Sequence, residues 1–139
     1  MTIIYIDENF APQLAKSLNL IQEHLNLKEK NRYKVISIQD RFGRGVQDED
    51  WIPIAGKEGA IVITQDLRIQ TTRHQRDLYI KYGLGVFFMK APSKKGFSFW
   101  EMTMQLIKRW PEIKKLSSKT KRPFAFRCTS KQLHFELLD

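Results

Sequence analysis

Thr2-Ile3-Ile4-Tyr5-Ile6-Asp7 and Ala60-Ile61-Val62-Ile63-Thr64-Gln65-Asp66 share one pattern, a short β-branched apolar run that ends on an aspartate. Neither alternates apolar with polar residues, so each is expected to be a strand buried on both faces. Tyr33-Lys34-Val35-Ile36-Ser37-Ile38 alternates as a further strand, and Gly85-Val86-Phe87-Phe88-Met89 is another apolar one. Between these runs lie segments of helical spacing. Leu14, Leu18, Ile21 and Leu25 place a helix over about residues 11–26, with Asn9 able to cap it and Pro12 suited to its first turn. Strand, helix, strand, helix, strand in this order predicts an α/β fold, a parallel sheet flanked by helices.

Phe42-Gly43-Arg44-Gly45-Val46 is a glycine-containing loop that leads into Gln47-Asp48-Glu49-Asp50-Trp51-Ile52-Pro53-Ile54-Ala55. Proline is harmless only among the first helical residues, whose N–H groups have no partner inside the helix, so Asp50 is the better N-cap and Asp48 the alternative. Arg73 to Tyr82 is expected to be a short helix stopped by Gly83, and Phe97 to Trp110 a longer one that Pro111 ends or kinks. In the tail, Phe124-Ala125-Phe126-Arg127 and Leu133-His134-Phe135-Glu136-Leu137 alternate on either side of Thr129-Ser130-Lys131, the pattern of a β-hairpin. With 139 residues, 42% of them hydrophobic, the chain has material for one core. A single domain over 1–139 is therefore expected, with a core over about 1–92 and a C-terminal basic helix and hairpin over about 93–139.

In parallel sheets of this kind, sites form beyond the carboxyl ends of the strands. Asp7 and Asp66 then share one edge, and the helix entrance at Asp48-Glu49-Asp50 lies on it as well. Carboxylates brought together from separate strands repel one another, and a folded chain accepts that convergence mainly when a cation neutralises it. Oxygen ligands favour magnesium or manganese, whose remaining positions go to water and substrate phosphate, an arrangement suited to hydrolysing phosphodiesters. Each acid also has a plainer reading, with Asp7 and Asp66 as turn residues after a strand and Asp50 as a helix cap.

Ile6-Asp7-Glu8-Asn9-Phe10-Ala11-Pro12, then Asp48-Glu49-Asp50-Trp51-Ile52 before Ala55, then Ile63-Thr64-Gln65-Asp66 resemble, in that order and over about the first 90 residues, the PIN-like superfamily. The pattern is similar to that of VapC-type toxins of type II toxin–antitoxin systems. That resemblance implies a Mg²⁺- or Mn²⁺-dependent endoribonuclease that hydrolyses RNA phosphodiesters and is silenced by a cognate antitoxin protein. Carried over by position, it makes Asp7, Asp48 and Asp66 catalytic. Asp7, Asp48, Asp50 and Asp66 become the candidate metal ligands, with Glu49 a further choice in the middle. PIN nucleases usually carry another acid after the fourth strand, where this chain has Lys90-Ala91-Pro92. A non-catalytic PIN-like module that binds nucleic acid or protein is the alternative.

Charge divides unevenly about Asp66. Residues 1–66 carry 8 Lys or Arg against 10 Asp or Glu, a balance of −2, and residues 67–139 carry 16 against 5, a balance of +11, which together give the chain's +9. A basic half suits a polyanion, because each neutralised phosphate releases a condensed counterion. The candidate RNA contacts are Arg68, Arg73 and Arg76 near the acidic edge and Lys108, Arg109, Lys114 and Lys115 in the long helix, with Lys119, Lys121 and Arg122 extending that run. A solvated helix face, an acidic antitoxin segment and a second copy of the chain in a homodimer are other uses for the same charge.

Phe97, Phe99, Trp100 and Trp110, at helical spacing, read as core rather than as base-stacking residues, and so does Trp51. His74 follows closely on Asp66 and is either an ordinary surface histidine or a group that contacts phosphate or assists proton transfer. The single cysteine, Cys128, excludes an internal disulfide and reads as a core filler. No apolar run approaches the roughly 20 residues of a membrane span, and the start Met1-Thr2-Ile3-Ile4-Tyr5 lacks the layout of a signal peptide. A cytoplasmic protein with no membrane partner is expected.

Overall fold

The computed structural model describes residues 1–7, 10–66, 72–92 and 95–138. Arg68, an expected RNA contact, and Asn9, an expected helix cap, lie outside the described residues. Strands β1 (Thr2–Ile6), β2 (Tyr33–Ser37), β3 (Ile61–Thr64), β4 (Gly85–Lys90) and β5 (Phe124–Thr129) run parallel, and the two-residue β6 (Glu136–Leu137) adds antiparallel to β5. The sheet order is β2-β1-β3-β4-β5-β6. Helix α1 (Pro12–Asn26) follows β1, α2 (Ile38–Phe42) and α3 (Asp48–Lys57) follow β2, α4 (Arg73–Tyr82) precedes β4, and α5 (Phe99–Lys119) joins β4 to β5. This is the mixed α/β architecture that the sequence predicts.

Alternation along the strands feeds two cores. Ile4, Ile6, Ile61, Ile63 and Phe87 bury on one face against Leu14 and Leu18 of α1 and Met102, Leu106 and Trp110 of α5. Tyr5, Val62 and Val86 bury on the other, against Ile38 of α2, Trp51 and Ile52 of α3 and Tyr79 of α4. Burying one such aliphatic side chain is worth about 1.5–3 kcal/mol, so a slip of one residue, which exchanges the two faces, is strongly disfavoured. Register, and with it the position of every residue at a strand end, is therefore fixed by packing. Gly83 stops α4 as expected, in the left-handed region at φ +71°.

Several local expectations are corrected. Helix α3 starts at Asp48 and its N-cap is Gln47, not Asp50, with Pro53 inside the helix. The bond that Pro53 cannot make would have gone to Glu49, on an exposed first turn where water replaces it. Helix α5 does not end at Pro111 and runs on to Lys119. Here the lost partner is Ile107, on the exposed side, while Trp110 and Ile113 flank the proline and are anchored in the core. Helix α2 stands where none was expected.

The tail forms the expected antiparallel pair, Phe126 with Leu137 and Arg127 with Glu136. Strand β5 is also a full member of the main sheet, in register with β4 from Gly85–Phe124 to Lys90–Thr129. Trp51 and Trp110 are core at 4% exposure, whereas Phe99 and Trp100 stand in solvent at 52% and 70%, against expectation. Met102 faces the core, and Trp100, two residues earlier and about 200° round the helix, faces away. Cys128 is buried, and that burial pushes its thiol pKa up. Among the described residues no helix is long and apolar enough to cross a membrane.

Candidate active site

Strand register places the first two acids. Ile6 pairs with Ile63, so Asp7 and Thr64 are the next residues on adjacent strands. Because Ile6 and Ile63 bury on the α1–α5 side, their successors belong to the α3–α4 side. The Asp7 N–H donates to the Ile63 carbonyl at 3.0 Å. The hydroxyl of Thr64, a residue 1% exposed, donates to Asp7 Oδ2 at 2.5 Å and accepts the Asp66 N–H at 2.9 Å. A single buried hydroxyl thus ties both strand-end aspartates together.

Helix α3 builds the facing wall. A cleft of about 540 Å³ at the carboxyl edge of the sheet is lined by Asp7, Asp48, Glu49, Asp66, Gln75 and the loop 45–47. The structure therefore brings Asp7 and Asp66 together with Asp48 and Glu49. Asp50, exposed on the same helical turn, is not among the described residues that line the cleft. Acids at the start of α3 also face the positive end of its helix dipole, which partly offsets their mutual repulsion.

Asp48 and Glu49 each have a protein partner. Asp48 Oδ1 accepts the Trp51 indole N–H at 3.1 Å, and Glu49 Oε1 lies 2.6 Å from His74 Nε2. Glu49's own backbone N–H, and then His74, hold its carboxyl below the usual glutamate range. Among the described residues, no three His, Cys, Asp or Glu side chains as placed close into a ready metal group. The donor set nonetheless fits a hard divalent ion in kind, with carboxylate oxygens from three elements facing one polar cleft. Gln75 adds to it, because its Oε1 is buried on that wall with no hydrogen-bond partner among the described residues. An acceptor oxygen left in this way is costly unless a ligand or ion completes it.

The expected RNA contacts separate into two groups. Arg73 and Arg76 lie on the first turn of α4, on either side of Gln75, and Arg73 pairs with Asp77 at 3.8 Å. In the long helix, Lys108 and Lys115 are exposed. Arg109 and Lys114 are corrected, since both spend their charge inside the fold. Arg109 is 2% exposed and donates to the carbonyls of Thr129 at 3.0 Å and Gln132 at 2.6 Å, locking the tail to α5. Lys114 donates to Glu29 Oε1 at 2.6 Å and to Gln22 Oε1 at 3.2 Å. Charges held in this way are turned away from solvent, although Arg109 Nη1 is buried without a hydrogen-bond partner among the described residues.

Sequence reasoning missed Thr64, Gln75 and the Glu49–His74 contact. The signal for Thr64 was present, because it lies two residues before Asp66 and hence on the same side of the strand, level with Asp7. Nothing comparable marked Gln75, whose place depends on how α4 packs. At the end of β4, where the usual further acid of PIN nucleases was sought, stands the exposed Lys90.

A family model for the PIN like domain matches residues 2–91, from β1 to the end of β4. The chain belongs to the PIN-like domain family, whose members are generally nucleases. No curated protein and no solved structure matches the chain significantly.

Proposed function

We propose that the chain is a Mg²⁺- or Mn²⁺-dependent endoribonuclease and the toxin of a toxin–antitoxin pair. The observation that carries this reading is the convergence of Asp7, Asp48, Glu49 and Asp66 on one cleft at the carboxyl edge of the sheet. Asp7 and Asp66 hold the ion, with Asp48 or Glu49 from the facing wall. When bound, a divalent ion supplies an activated water and stabilises charge on the phosphoryl oxygens. Thr64 keeps the Asp7 carboxylate and the Asp66 backbone in a fixed relation, so the two ligands do not need to be ordered anew for each turnover. Arg73 and Arg76, beside the cleft, orient the incoming phosphate backbone. His74 holds Glu49 at the rim. The basic half supplies affinity for RNA and a place for an acidic antitoxin segment.

Purified protein is expected to cleave RNA with magnesium or manganese and to stop with a chelator. Asp7→Asn should lower the rate by on the order of 10²-fold or more while its circular dichroism spectrum is unchanged. Equal activity in that variant sinks the assignment. Growth arrest on expression, relieved by the product of an adjacent small reading frame, tests the toxin role.

A non-catalytic binding module is favoured by one observation, Lys90 at the end of β4 in place of an acid. Tight RNA or protein binding without cleavage of varied RNAs would select it.

A further inference from the structure

One group of exposed cations lies away from the acidic cleft. Strands β1 to β5 are parallel, so segments entering them lie at one edge of the sheet and segments leaving them at the other. The cleft is at the leaving edge. Lys28, Lys30 and Arg32, in the connection entering β2, and Lys119 and Lys121, just before β5, belong to the entering edge. The two connections meet there. Lys114 Nζ is 2.6 Å from Glu29 Oε1, Tyr33 donates its hydroxyl to the Lys114 carbonyl at 3.2 Å, and the Arg122 charge acts on the Tyr33 phenol. Lys114 thereby neutralises the acid that lies within the cluster.

Lys28, Lys30, Arg32, Lys115, Lys119 and Lys121 are all exposed, and no ion pair among the described residues engages any of them. Lys108, Lys115 and Lys119 share one stripe of α5, at i, i+7 and i+11. The acid on that stripe, Glu112, is turned to His134 and the Phe135 N–H. Five of these six residues are lysines. Lysine pairs with phosphate as a flexible point charge, and its long stem lets such a patch follow a phosphate backbone in shifting register.

We propose that this amino-terminal edge is a second RNA-binding surface, an exosite that grips the phosphate backbone away from the cleft. As part of a ribonuclease it rests on the function proposed above. Helix α5, with 21 residues, spans about 31 Å between the two edges. A stacked strand rising about 3.4 Å per nucleotide needs roughly nine nucleotides to cover that distance. RNA long enough to reach both edges is then held at two places, and shorter RNA at one.

The test is binding of a labelled 30-nucleotide RNA in chelator, so that no cleavage is needed. Two variants each remove three charges, Lys115→Gln/Lys119→Gln/Lys121→Gln and Lys28→Gln/Lys30→Gln/Arg32→Gln. Each should weaken binding about 100-fold at about 0.1 M salt and reduce the slope of log affinity against log salt by about 2, at about 0.7 per phosphate contact. Where cleavage is measured, the same triple variants should slow hydrolysis of the 30-nucleotide RNA and leave that of a hexanucleotide unchanged.

Parental affinity and salt slope in both triple variants would overturn the exosite and leave the nuclease reading standing. Reduced binding in the triple variants of a protein that cleaves nothing would support the surface and retire the nuclease. Competition by polyglutamate of matched charge as strong as that by RNA would overturn the choice of RNA in favour of an acidic polypeptide.

Discussion

Thr64 and Asp7, neighbours across β3 and β1, are joined by a 2.5 Å hydrogen bond, and the same threonine oxygen accepts the Asp66 N–H. The bond exists because Ile6 and Ile63 are paired and buried, which leaves the next residue of each strand on the cleft side. Thr64→Val keeps the shape and removes both interactions from a buried site. It should cost about 1–3 kcal/mol of stability, seen as a lower urea midpoint at unchanged slope. Thr64→Ser, which retains the hydroxyl, should lose less. An unshifted midpoint in the valine variant would show that the hydroxyl does not tie the strand ends together.

A second buried polar group joins α1 to α5. Gln22, fully buried, accepts the Trp110 indole N–H at 2.8 Å and donates to Asn26 Oδ1 at 2.7 Å. Gln22→Leu should destabilise the fold by about 2–3 kcal/mol, because the Trp110 N–H stays buried without its acceptor. Adding Trp110→Phe should then cost less than it does in the parent, giving a measurable coupling in a double-mutant cycle. Strict additivity would contradict the link.

Gly56 is needed for close approach, not for an unusual backbone. A Cβ there would run into the Tyr82 carbonyl and lie 2.7 Å from Tyr82 Cβ, so α3 and α4 would have to separate. Alanine improves helix propensity by about 1 kcal/mol, while overpacking costs about 1–3 kcal/mol. Gly56→Ala should therefore lower the melting temperature, and a rise would mean that the helices have room to adjust.

Tyr5 provides a test by pH. Burial, and then the hydrogen bond to Glu58, push its phenol up to about 12, against an ordinary value of 10.0, while Arg41 opposes them. Burial also raises Tyr33 and Tyr79. The unfolded chain binds fewer phenolic protons than the fold between these values. The stabilisation is therefore complete below about pH 10 and is lost as pH rises through about 12. Phenolate absorbance should show Tyr5 ionising last and together with unfolding. Ionisation near its ordinary value in folded protein would contradict the burial of this ring.

How much was legible in the sequence follows from which forces are local. Strands β1, β3 and β4 were readable because burial on both faces demands continuous apolar runs, and Gly83 marked the end of α4 because the left-handed region needs no Cβ there. Pro53 and Pro111 misled because local chemistry disfavours them while the packing of Trp51 and Ile52, or Trp110 and Ile113, holds the helix across them. Asp7 and Asp66 were readable as strand ends. Choosing among Asp48, Glu49 and Asp50 was not, since each residue turns the side chain by about 100° and the starting point of α3 was unknown. No charge pattern could show that Arg109 would be buried, because its acceptors, Thr129 and Gln132, lie about twenty residues away in sequence.

Single-turnover cleavage of one labelled RNA in manganese, compared across Asp7→Asn, Asp48→Asn, Asp50→Asn and Asp66→Asn with the fold of each verified, tests the central claim most directly. Rates should fall by on the order of 10²-fold or more for Asp7 and Asp66, which line the cleft, and stay close to the parent for Asp50, which does not, and a matching fall for Asp48 selects it over Glu49 as the facing ligand. Parental rates in the Asp7 and Asp66 variants would contradict the account, because the strand-end aspartates would then have no part in the chemistry.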